Sequence, residues 1–238
     1  MKLVELRSPA AADTSEFAAI VPMGAVEQHS THLPVGTDAM ITTAVCEAVE
    51  ARLPGSSVLL PTFWYGASGY HEIYAGTASV GTAPLVASIT AMLGSVFRST
   101  GIRRYLLVNG HGGNQPAVRL VLEQAQRELT EAIVWGLDYW DAMFTVLDAA
   151  NVSRPAEMGH ADELETSMML AIHGHLVDMT SAEPDAVTGN PPPFVHTASG
   201  FARRTRHGGE GDPTGSTKER GNELLVAAAS GLATVVRQ

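Results

Sequence analysis

The 238-residue sequence predicts an α/β protein with a mostly parallel sheet that helices cover on both faces. Short apolar runs alternate along the chain with segments whose apolar residues recur at helical spacing. The predicted helices are long enough to serve as the crossovers that parallel strands require. No internal repeat interrupts this alternation, and the length suits a single domain spanning residues 1–238.

Each predicted strand is an apolar run, and each predicted helix has an apolar face. In chain order the elements are strand Phe17–Pro22, helix Thr37–Leu53, strand Ser57–Leu60, helix Pro84–Phe97, strand Tyr105–Val108, helix Gln115–Leu129, strand Ile133–Leu137, helix Glu163–His173 and helix Leu224–Val236. Pro54-Gly55 ends the first helix, and Gly101 follows the second. The irregular stretch Thr180–Gly215, which includes Pro191-Pro192-Pro193, is long enough to indicate a functional, flexible or subunit-contacting segment.

Composition and charge exclude several function classes. The net charge of −10 leaves no basic surface for nucleic acid. No apolar stretch approaches the ~18 residues that span a bilayer, and the charged N-terminus lacks the apolar core of a signal peptide. Cys46 is the only cysteine, so no internal disulfide can form. We therefore expect a soluble, cytoplasmic protein that binds neither nucleic acid nor membranes.

Polar clusters follow the predicted strands, where open α/β sheets place their sites. The loop after the first strand holds Glu27, His29 and Asp38, and the glycine-rich segment Asn109–Asn114 follows the third strand. A third cluster, Met158–Ser167, enters a helix with several acidic residues. The glycine-rich segment lacks the lysine of a phosphate-binding loop and the dinucleotide fingerprint. Because glycine has no side chain, its glycines instead allow the backbone to come close to a bound group beside His111.

The mixed nitrogen and oxygen donors of these clusters favour Zn²⁺, Mn²⁺ or Fe²⁺ over Mg²⁺ or Ca²⁺. Glu27 and His29 are two residues apart, so in extended chain their side chains point the same way. Asp38 could bridge two cations, although a carboxylate at a helix start is also an ordinary cap. His32 is predicted to be a supporting, hydrogen-bonding residue. His111, at a strand end, is a natural ligand or base.

Several ordered motifs resemble the creatininase family of metal hydrolases. They are G-x-x-E-Q-H-x-x-H-L-P-x-x-T-D at Gly24–Asp38, G-x-S-G-x-H and A-G-T within Tyr65–Thr77, N-G-H-G-G-N at Asn109–Asn114, E-T-S at Glu165–Ser167 and G-D-P-T at Gly211–Thr214. The resemblance spans nearly the whole chain. It implies a three-layer α/β/α sandwich, a homohexamer and two divalent cations per chain, with Zn²⁺ expected and Mn²⁺ or Fe²⁺ as alternatives.

The resemblance implies that Glu27, His29, Asp38 and His111 are ligands, with Asp38 as the bridge. Creatinine-hydrolysing members carry a glutamate ligand where this chain has Gly113, so a ligand is missing and creatinine is an unfavourable substrate. We expect Glu163 to replace it, with Glu165 as the competing candidate. Two other departures are Ser30 and Asp162, which stand where the family usually has glycine.

The implied reaction is hydrolysis of a C–N bond, in an amide or cyclic amide, of a small molecule or short peptide. His160 matches the family's proton-carrying histidine, and its alternative role is to orient a ligand. The remaining predicted pocket residues are Ser68, Tyr70, His71 and the backbone N–H groups of Gly112 and Gly113. Tyr139 and Trp140 are predicted to be either an aromatic wall or core, and Arg203, Arg204 and Arg206 are candidates to bind a carboxylate.

Two alternative functions remain open. Relatives with N-G-H-G-G-N and G-D-P-T motifs include mycofactocin-type peptidases, which act on a short precursor peptide. The chain could also be a catalytically inactive subunit that binds metal or ligand. The complete set of predicted ligands favours an enzyme over this last alternative.

Overall fold

A four-stranded parallel sheet with the order β2-β1-β3-β4 forms the centre of the molecule. The computed structural model describes residues 1–189, 201 and 204–237. The strands are β1 (Ala18–Met23), β2 (Ser57–Leu59), β3 (Arg104–Asn109) and β4 (Ile133–Asp138). All four lie where the apolar runs predict them, and the predicted parallel pairing is confirmed.

Seven α-helices occur in the described part of the chain. They are α1 (Ser8–Ala12), α2 (Thr37–Ala51), α3 (Thr82–Thr100), α4 (Gln115–Glu128), α5 (Tyr139–Ala149), α6 (Glu163–His173) and α7 (Lys218–Val236). Helices α1 and α5 were not predicted. Helix α7 begins six residues before the predicted Leu224, because the Thr217 hydroxyl caps a polar first turn by accepting a hydrogen bond from the Arg220 N–H.

The strands alternate their side chains between two apolar layers, as a doubly covered sheet requires. Ala18 and Ile20 of β1 pack with α2, α5, α6 and α7 on one face. Ala19 and Val21 pack with α3 and α4 on the other face. The molecule is therefore the three-layer α/β/α sandwich that was expected.

The strand order creates a switch point at the carboxyl ends of β1 and β3. From β1 the chain crosses to β2 at one edge, whereas from β3 it proceeds to β4 at the other. Met23 and Asn109 are register partners at these ends. Ligands of open α/β sheets bind where the winding direction reverses in this way. The loops that carry the predicted ligands leave the sheet at this point.

The predicted irregular stretch is described only at its two ends. Residues 190–200 and 202–203, which include the triple proline and Arg203, lie outside the described residues. On either side, antiparallel bridges join Asp185 to Gly211 and His160 to Glu210. The described ends of the stretch are therefore held beside the third polar cluster. Among the described helices, none is both long and apolar enough to cross a membrane.

Candidate metal centre

Six of the side chains singled out by the sequence converge at the switch point, and all but the partly buried His160 are buried. They are Glu27, His29, Asp38, His111, His160 and Glu165, and this set is called the cluster below. The loop after β1 supplies the first two, and Asp38 lies in the first turn of α2. His111 follows β3, while the other two flank the start of α6.

Asp38 lies between two histidines. Its Oδ1 is 2.9 Å from Nε2 of His29, and its Oδ2 is 3.0 Å from Nδ1 of His111. The side chain makes no capping hydrogen bond to α2, so the alternative role as a helix cap is not seen. A carboxylate whose two oxygens face different nitrogen donors has the arrangement that a bridging ligand requires.

Glu27 is the second carboxylate of the cluster. Its Oε2 is 3.3 Å from Nε2 of His111. Its Oε1 is 3.6 Å both from Nε2 of His71 and from Nδ1 of His160. Glu27 thus faces His111 with one oxygen and two further histidines with the other.

Glu165, rather than Glu163, completes the cluster. Oε2 of Glu165 is 3.8 Å from Nε2 of His29 and accepts a hydrogen bond from the Ala161 N–H. Glu163 instead accepts a hydrogen bond from the Ser167 hydroxyl and lies 3.7 Å from the Arg220 guanidinium, with its side chain 32% exposed. The structure therefore places the competing candidate Glu165 in the cluster and Glu163 outside it, because α6 turns the Glu163 carboxylate away; the identity of the replacement ligand stays a prediction.

The donors of the cluster fit divalent cations. Ligand atoms lie within 4.8 Å of one another in three groups: Glu27, Asp38 and His111; His29, His160 and Glu165; and Glu27, His71 and His160. Oε2 of Glu27 and Oδ2 of Asp38 are buried, and neither receives a hydrogen bond of good geometry, although nitrogens of His111 lie 3.3 Å and 3.0 Å away. Buried carboxylate oxygens are normally paired or coordinate a metal. Two buried carboxylate oxygens that face the same imidazole without well-formed hydrogen bonds fit the expected cations.

The carboxylates hold protons on the two histidines that face Asp38. Burial opposes the charged form of His111, but Glu27 and Asp38 outweigh it and raise the pKa of this histidine to about 10. Burial likewise opposes charging of His29, and Asp38 and Glu165 raise its pKa well above the usual value. Without cations, both imidazoles are therefore protonated at neutral pH.

We predict that Zn²⁺ binding weakens as the pH falls, because the cation must displace a proton from His29 and one from His111. The affinity should fall at least about tenfold per pH unit below pH 8. Calorimetric titration in buffers of different ionisation enthalpy measures both the affinity and the protons released. An affinity that is constant between pH 6 and pH 8 would contradict this prediction.

The predicted pocket residues surround the cluster. The hydroxyl of Ser68 is 3.2 Å from Nε2 of His111, and the ring of Tyr70 stacks at 6.2 Å from that of His111. Burial and the charge of Glu27 raise the pKa of Tyr70, so its hydroxyl stays protonated. His71 lies against Glu27, and Gly112 lines the cavity. With Gly113, which lies against the His111 ring, all five predicted pocket residues are placed at the cluster as side chain or backbone.

Gly113 has a steric reason to be glycine. A Cβ there would lie 2.4 Å from the Ala67 carbonyl oxygen, 2.5 Å from Nε2 of His111 and 2.8 Å from the Tyr70 hydroxyl. No side chain can therefore start from this position without moving the backbone at Ala67. The glutamate that creatinine-hydrolysing relatives carry here has no room in this chain.

A cavity of about 490 Å³ opens onto the cluster. Besides residues of the cluster it is lined by Tyr70, His71, Gly110, Gly112, Gln115, Trp140, Asp141, Phe144, Ala156, Glu157, Met158, Gly159, Phe201 and Glu210. For Tyr139 and Trp140 the sequence predicted either an aromatic wall or core. Trp140 lines the cavity as part of a wall, whereas Tyr139 is buried in the core. Phe201 was not singled out by the sequence, because it lies in an irregular stretch without periodicity.

The two glycine-to-side-chain departures have different structural consequences. Asp162 caps α6: its Oδ1 accepts hydrogen bonds from the Leu164 and Glu165 N–H groups. Burial and the Glu165 charge raise its pKa to about 7. Ser30 has a φ of +55°, in the left-handed region, and its buried hydroxyl has no partner. The first departure fixes the start of the helix that carries Glu165, and the second strains the loop.

Replacing Ser30 by glycine should raise the free energy of unfolding by about 1 kcal/mol, because glycine adopts this backbone without a steric cost. The matched control is Asn151→Gly, also at a φ of +55°. Asparagine tolerates this region better, so its gain should be smaller. Chemical denaturation measures both values, and a loss of stability in Ser30→Gly would contradict the prediction.

Gln28 is the buried site residue that the sequence left without a role. It is the central letter of E-Q-H, and its side chain contacts both His71 and His160. Its position between two predicted ligands, Glu27 and His29, could have drawn attention to it. Glutamine is too common in protein sequences, however, for that position alone to predict a role in the site. His32, predicted to be a supporting residue, lies outside the cluster and places its Nε2 2.8 Å from the Thr166 hydroxyl.

Comparisons with known proteins show which family the chain resembles. A family model described as "Creatininase: Creatinine amidohydrolase" matches residues 5–236. The mycofactocin precursor peptide peptidase of Mycobacterium tuberculosis (strain ATCC 25618 / H37Rv) is 32% identical over 221 residues, with 87% of this chain and 80% of the relative covered. The creatinine amidohydrolase of Pseudomonas putida is 29% identical over 240 residues, with 92% and 88% covered.

Solved structures show the same likeness. A crystal structure of creatinine amidohydrolase (creatininase) superposes with a TM-score of 0.87 at 26% identity, covering 99% of this chain and 96% of the other. A manganese form of creatininase and a Zn-Zn form of a creatininase variant superpose with TM-scores of 0.86 and 0.85, each at 25% identity. Each covers 99% of this chain; 97% of the manganese form and 96% of the Zn-Zn form are covered.

Proposed function

The chain belongs to the creatininase family, and from this premise we propose that it is a metal-dependent amidohydrolase. It cleaves a C–N bond, in an amide or cyclic amide, of a small molecule or short peptide. The observation that carries the proposal is the buried cluster, in which Asp38 presents one oxygen to His29 and the other to His111. Such a shared carboxylate is typical of two-metal hydrolases.

Two divalent cations per chain fit the donor set. Glu27, His111 and Asp38 would hold one, and His29, Asp38 and Glu165 the other. Zn²⁺ and Mn²⁺ are supported by the related creatininase structures that are named for these metals, and Fe²⁺ suits the same donors. Bound cations of this kind lower the pKa of a water molecule toward neutrality and polarise a carbonyl oxygen.

The chain's own residues supply the proton transfer and the positioning. Nδ1 of His160 faces Glu27 at 3.6 Å, and burial and the charge of His29 lower its pKa. A neutral imidazole at this place can take a proton from an attacking water and return it to the leaving nitrogen. The Tyr70 hydroxyl and the N–H groups near Gly112 are suited to hydrogen-bond the oxyanion.

The second candidate is a peptidase that acts on a short precursor peptide. The identity with the mycofactocin precursor peptide peptidase, 32% over 221 residues, favours it. The cavity of about 490 Å³ admits a small ring or the end of a peptide. The two candidates share the cluster and differ only in what the outer part of the cavity receives.

Hydrolysis assays on the metal-loaded chain test the proposal. The panel contains creatinine, other small lactams, formamides and synthetic precursor peptides, each with and without chelator. We expect chelator-sensitive hydrolysis of at least one small amide, and weak activity on creatinine because Gly113 replaces a glutamate. Cleavage of peptides alone would favour the second candidate. Two bound cations without hydrolysis of any substrate would favour an inactive metal-binding subunit.

We also propose a homohexamer in the cytoplasm, on the strength of the family resemblance. The net charge of −10 opposes binding to nucleic acid. Sedimentation velocity of the metal-loaded chain measures the assembly directly, and a monomer at micromolar concentration would remove this part of the proposal.

A further inference from the structure

The side chain of Gln28 is buried between the loop after β1, two histidines of the cavity and the segment around Gly208. None of its polar atoms belongs to the proposed ligands of the cations. Its amide nevertheless touches both imidazoles that face Oε1 of Glu27. This placement lets one uncharged group act on two titratable side chains.

The orientation of the Gln28 amide is fixed by its neighbours. The N–H of Ser30 donates to Oε1 of Gln28 at 2.9 Å, so that end of the amide must be the oxygen. Nε2, at the other end, donates to the Gly208 carbonyl oxygen at 2.8 Å. Its second hydrogen is directed to Nδ1 of His71 at 2.6 Å.

The amide therefore determines which nitrogen of His71 carries the proton. Nδ1 accepts a hydrogen bond from Gln28 and so holds a lone pair, which leaves the proton on Nε2. That nitrogen points toward Oε1 of Glu27 at 3.6 Å. Burial lowers the pKa of His71 to about 3, in agreement with a neutral ring.

His160 is the same tautomer as His71 but turns its other nitrogen toward Glu27. Its Nε2 is 2.9 Å from the backbone carbonyl oxygen of Gln28, which can only accept, so Nε2 carries the proton. The 3.2 Å approach of this nitrogen to Nε2 of Gln28 joins two donors and is not a hydrogen bond. Nδ1 of His160 is left with a lone pair that faces Glu27.

We propose that Gln28 is a positioning residue that holds His71 as an N–H donor while its own backbone carbonyl holds His160 as a lone-pair base. The proposal rests on the proposed amide hydrolysis for its purpose. In that reaction His160 receives the proton at Nδ1, and His71 donates a hydrogen bond from Nε2 to Glu27 or to the substrate. With this tautomer His71 is not a cation ligand, because Nε2, the nitrogen that faces the cavity, carries a proton and has no lone pair.

The partner on the far side of Gln28 is itself held in place. Asp185 is buried, and its carboxylate accepts hydrogen bonds from the backbone N–H groups of Arg206, His207 and Gly209. These bonds fix the turn that presents the Gly208 carbonyl to Gln28. The amide therefore meets preset acceptors on two sides, which is what a fixed orientation requires.

The test is imidazole nitrogen NMR on the full-length chain labelled with ¹⁵N-histidine, with and without Zn²⁺, and with His71→Asn for assignment. In the unsubstituted chain we expect His71 to be protonated at Nε2 only. In Gln28→Glu, a carboxylate oxygen replaces the amide N–H, so His71 should become protonated at Nδ1. In Gln28→Met, which offers neither donor nor acceptor, both tautomers should appear. A proton on Nδ1 of His71 in the unsubstituted chain would overturn the proposal, as would unchanged signals in Gln28→Glu.

Activity provides the second readout. Both Gln28 variants should lower kcat by about 10- to 100-fold at unchanged Zn²⁺ stoichiometry, as loss of an orienting hydrogen bond does. Gln124→Glu is the matched control, since Gln124 lies on α4, away from the cavity, and its side chain accepts a hydrogen bond from the Thr90 hydroxyl of α3. The tautomer is measurable without Zn²⁺ and without substrate. Failure of amide hydrolysis would therefore leave the NMR result intact, and the two failures are distinguishable.

Discussion

Replacing Glu165 by glutamine should remove one bound cation per chain and lower kcat/KM by more than about 100-fold, more than the loss of an orienting neighbour costs. Glu165 reaches Nε2 of His29 at 3.8 Å and completes the donor set on that side of Asp38. Glutamine keeps the size of the side chain but offers a neutral ligand. Replacing Glu163 should leave the cation content unchanged, because this carboxylate bonds Ser167 and lies near Arg220.

The variants Glu163→Gln and Glu165→Gln form a matched pair. Each substitution lies in the first turn of α6 and removes one negative charge from it. Elemental analysis of the purified variants gives the cations per chain, and the amide found active in the substrate panel gives kcat/KM. Thermal unfolding verifies that both variants fold. Loss of metal in Glu163→Gln with retention in Glu165→Gln would show that the cluster is assembled differently.

Much of the fold follows from the sequence because the strands and most helices have distinct periodicities. Val21 and Leu107 belong to runs too short for helices, and Ile41, Val45 and Val49 repeat at a helical interval. Helix α5 escaped prediction although Tyr139, Met143 and Leu147 have the same spacing. It starts directly after β4 without a turn residue between them, so the two aromatic residues were considered only as a wall or core. The spacing of apolar residues identifies a helix, but a helix that begins directly after a strand, without a turn residue, is difficult to recognise from the sequence.

The site was predictable as a set of motifs but not as a geometry. The sequence places Glu27, His29 and His111 at strand ends, and the switch point brings such ends together. Glu163 and Glu165, in contrast, lie in one helix two residues apart, so they point in nearly opposite directions. Which of them faces the cluster depends on how α6 packs against α2 and α7, information that no local pattern contains. Gln28 shows the same limit, because its role depends on contacts with Gly208, distant in sequence.

Replacing Asp38 by asparagine should abolish activity almost completely and reduce the bound cations from two to one or fewer per chain. Asp38 is the only described side chain of the cluster that approaches both His29 and His111 within 3.0 Å. Asparagine retains the shape but supplies one neutral oxygen in place of two charged ones. The loss should exceed that of Glu165→Gln, because both halves of the cluster share this carboxylate. It should also lower the raised pKa values of both histidines, to which Asp38 contributes.

The Asp38→Asn variant separates binding from folding in one comparison. Without cations, it loses ion pairs with two protonated histidines, so the metal-free chain should unfold at a lower temperature than the unsubstituted metal-free chain. Adding Zn²⁺ should raise the unfolding temperature of the unsubstituted chain strongly and that of the variant only slightly, because stabilisation follows affinity. Asp13→Asn, at an exposed position after α1, is the control for loss of a negative charge. Equal stabilisation of the variant and the control by Zn²⁺ would mean that Asp38 bridges no cations.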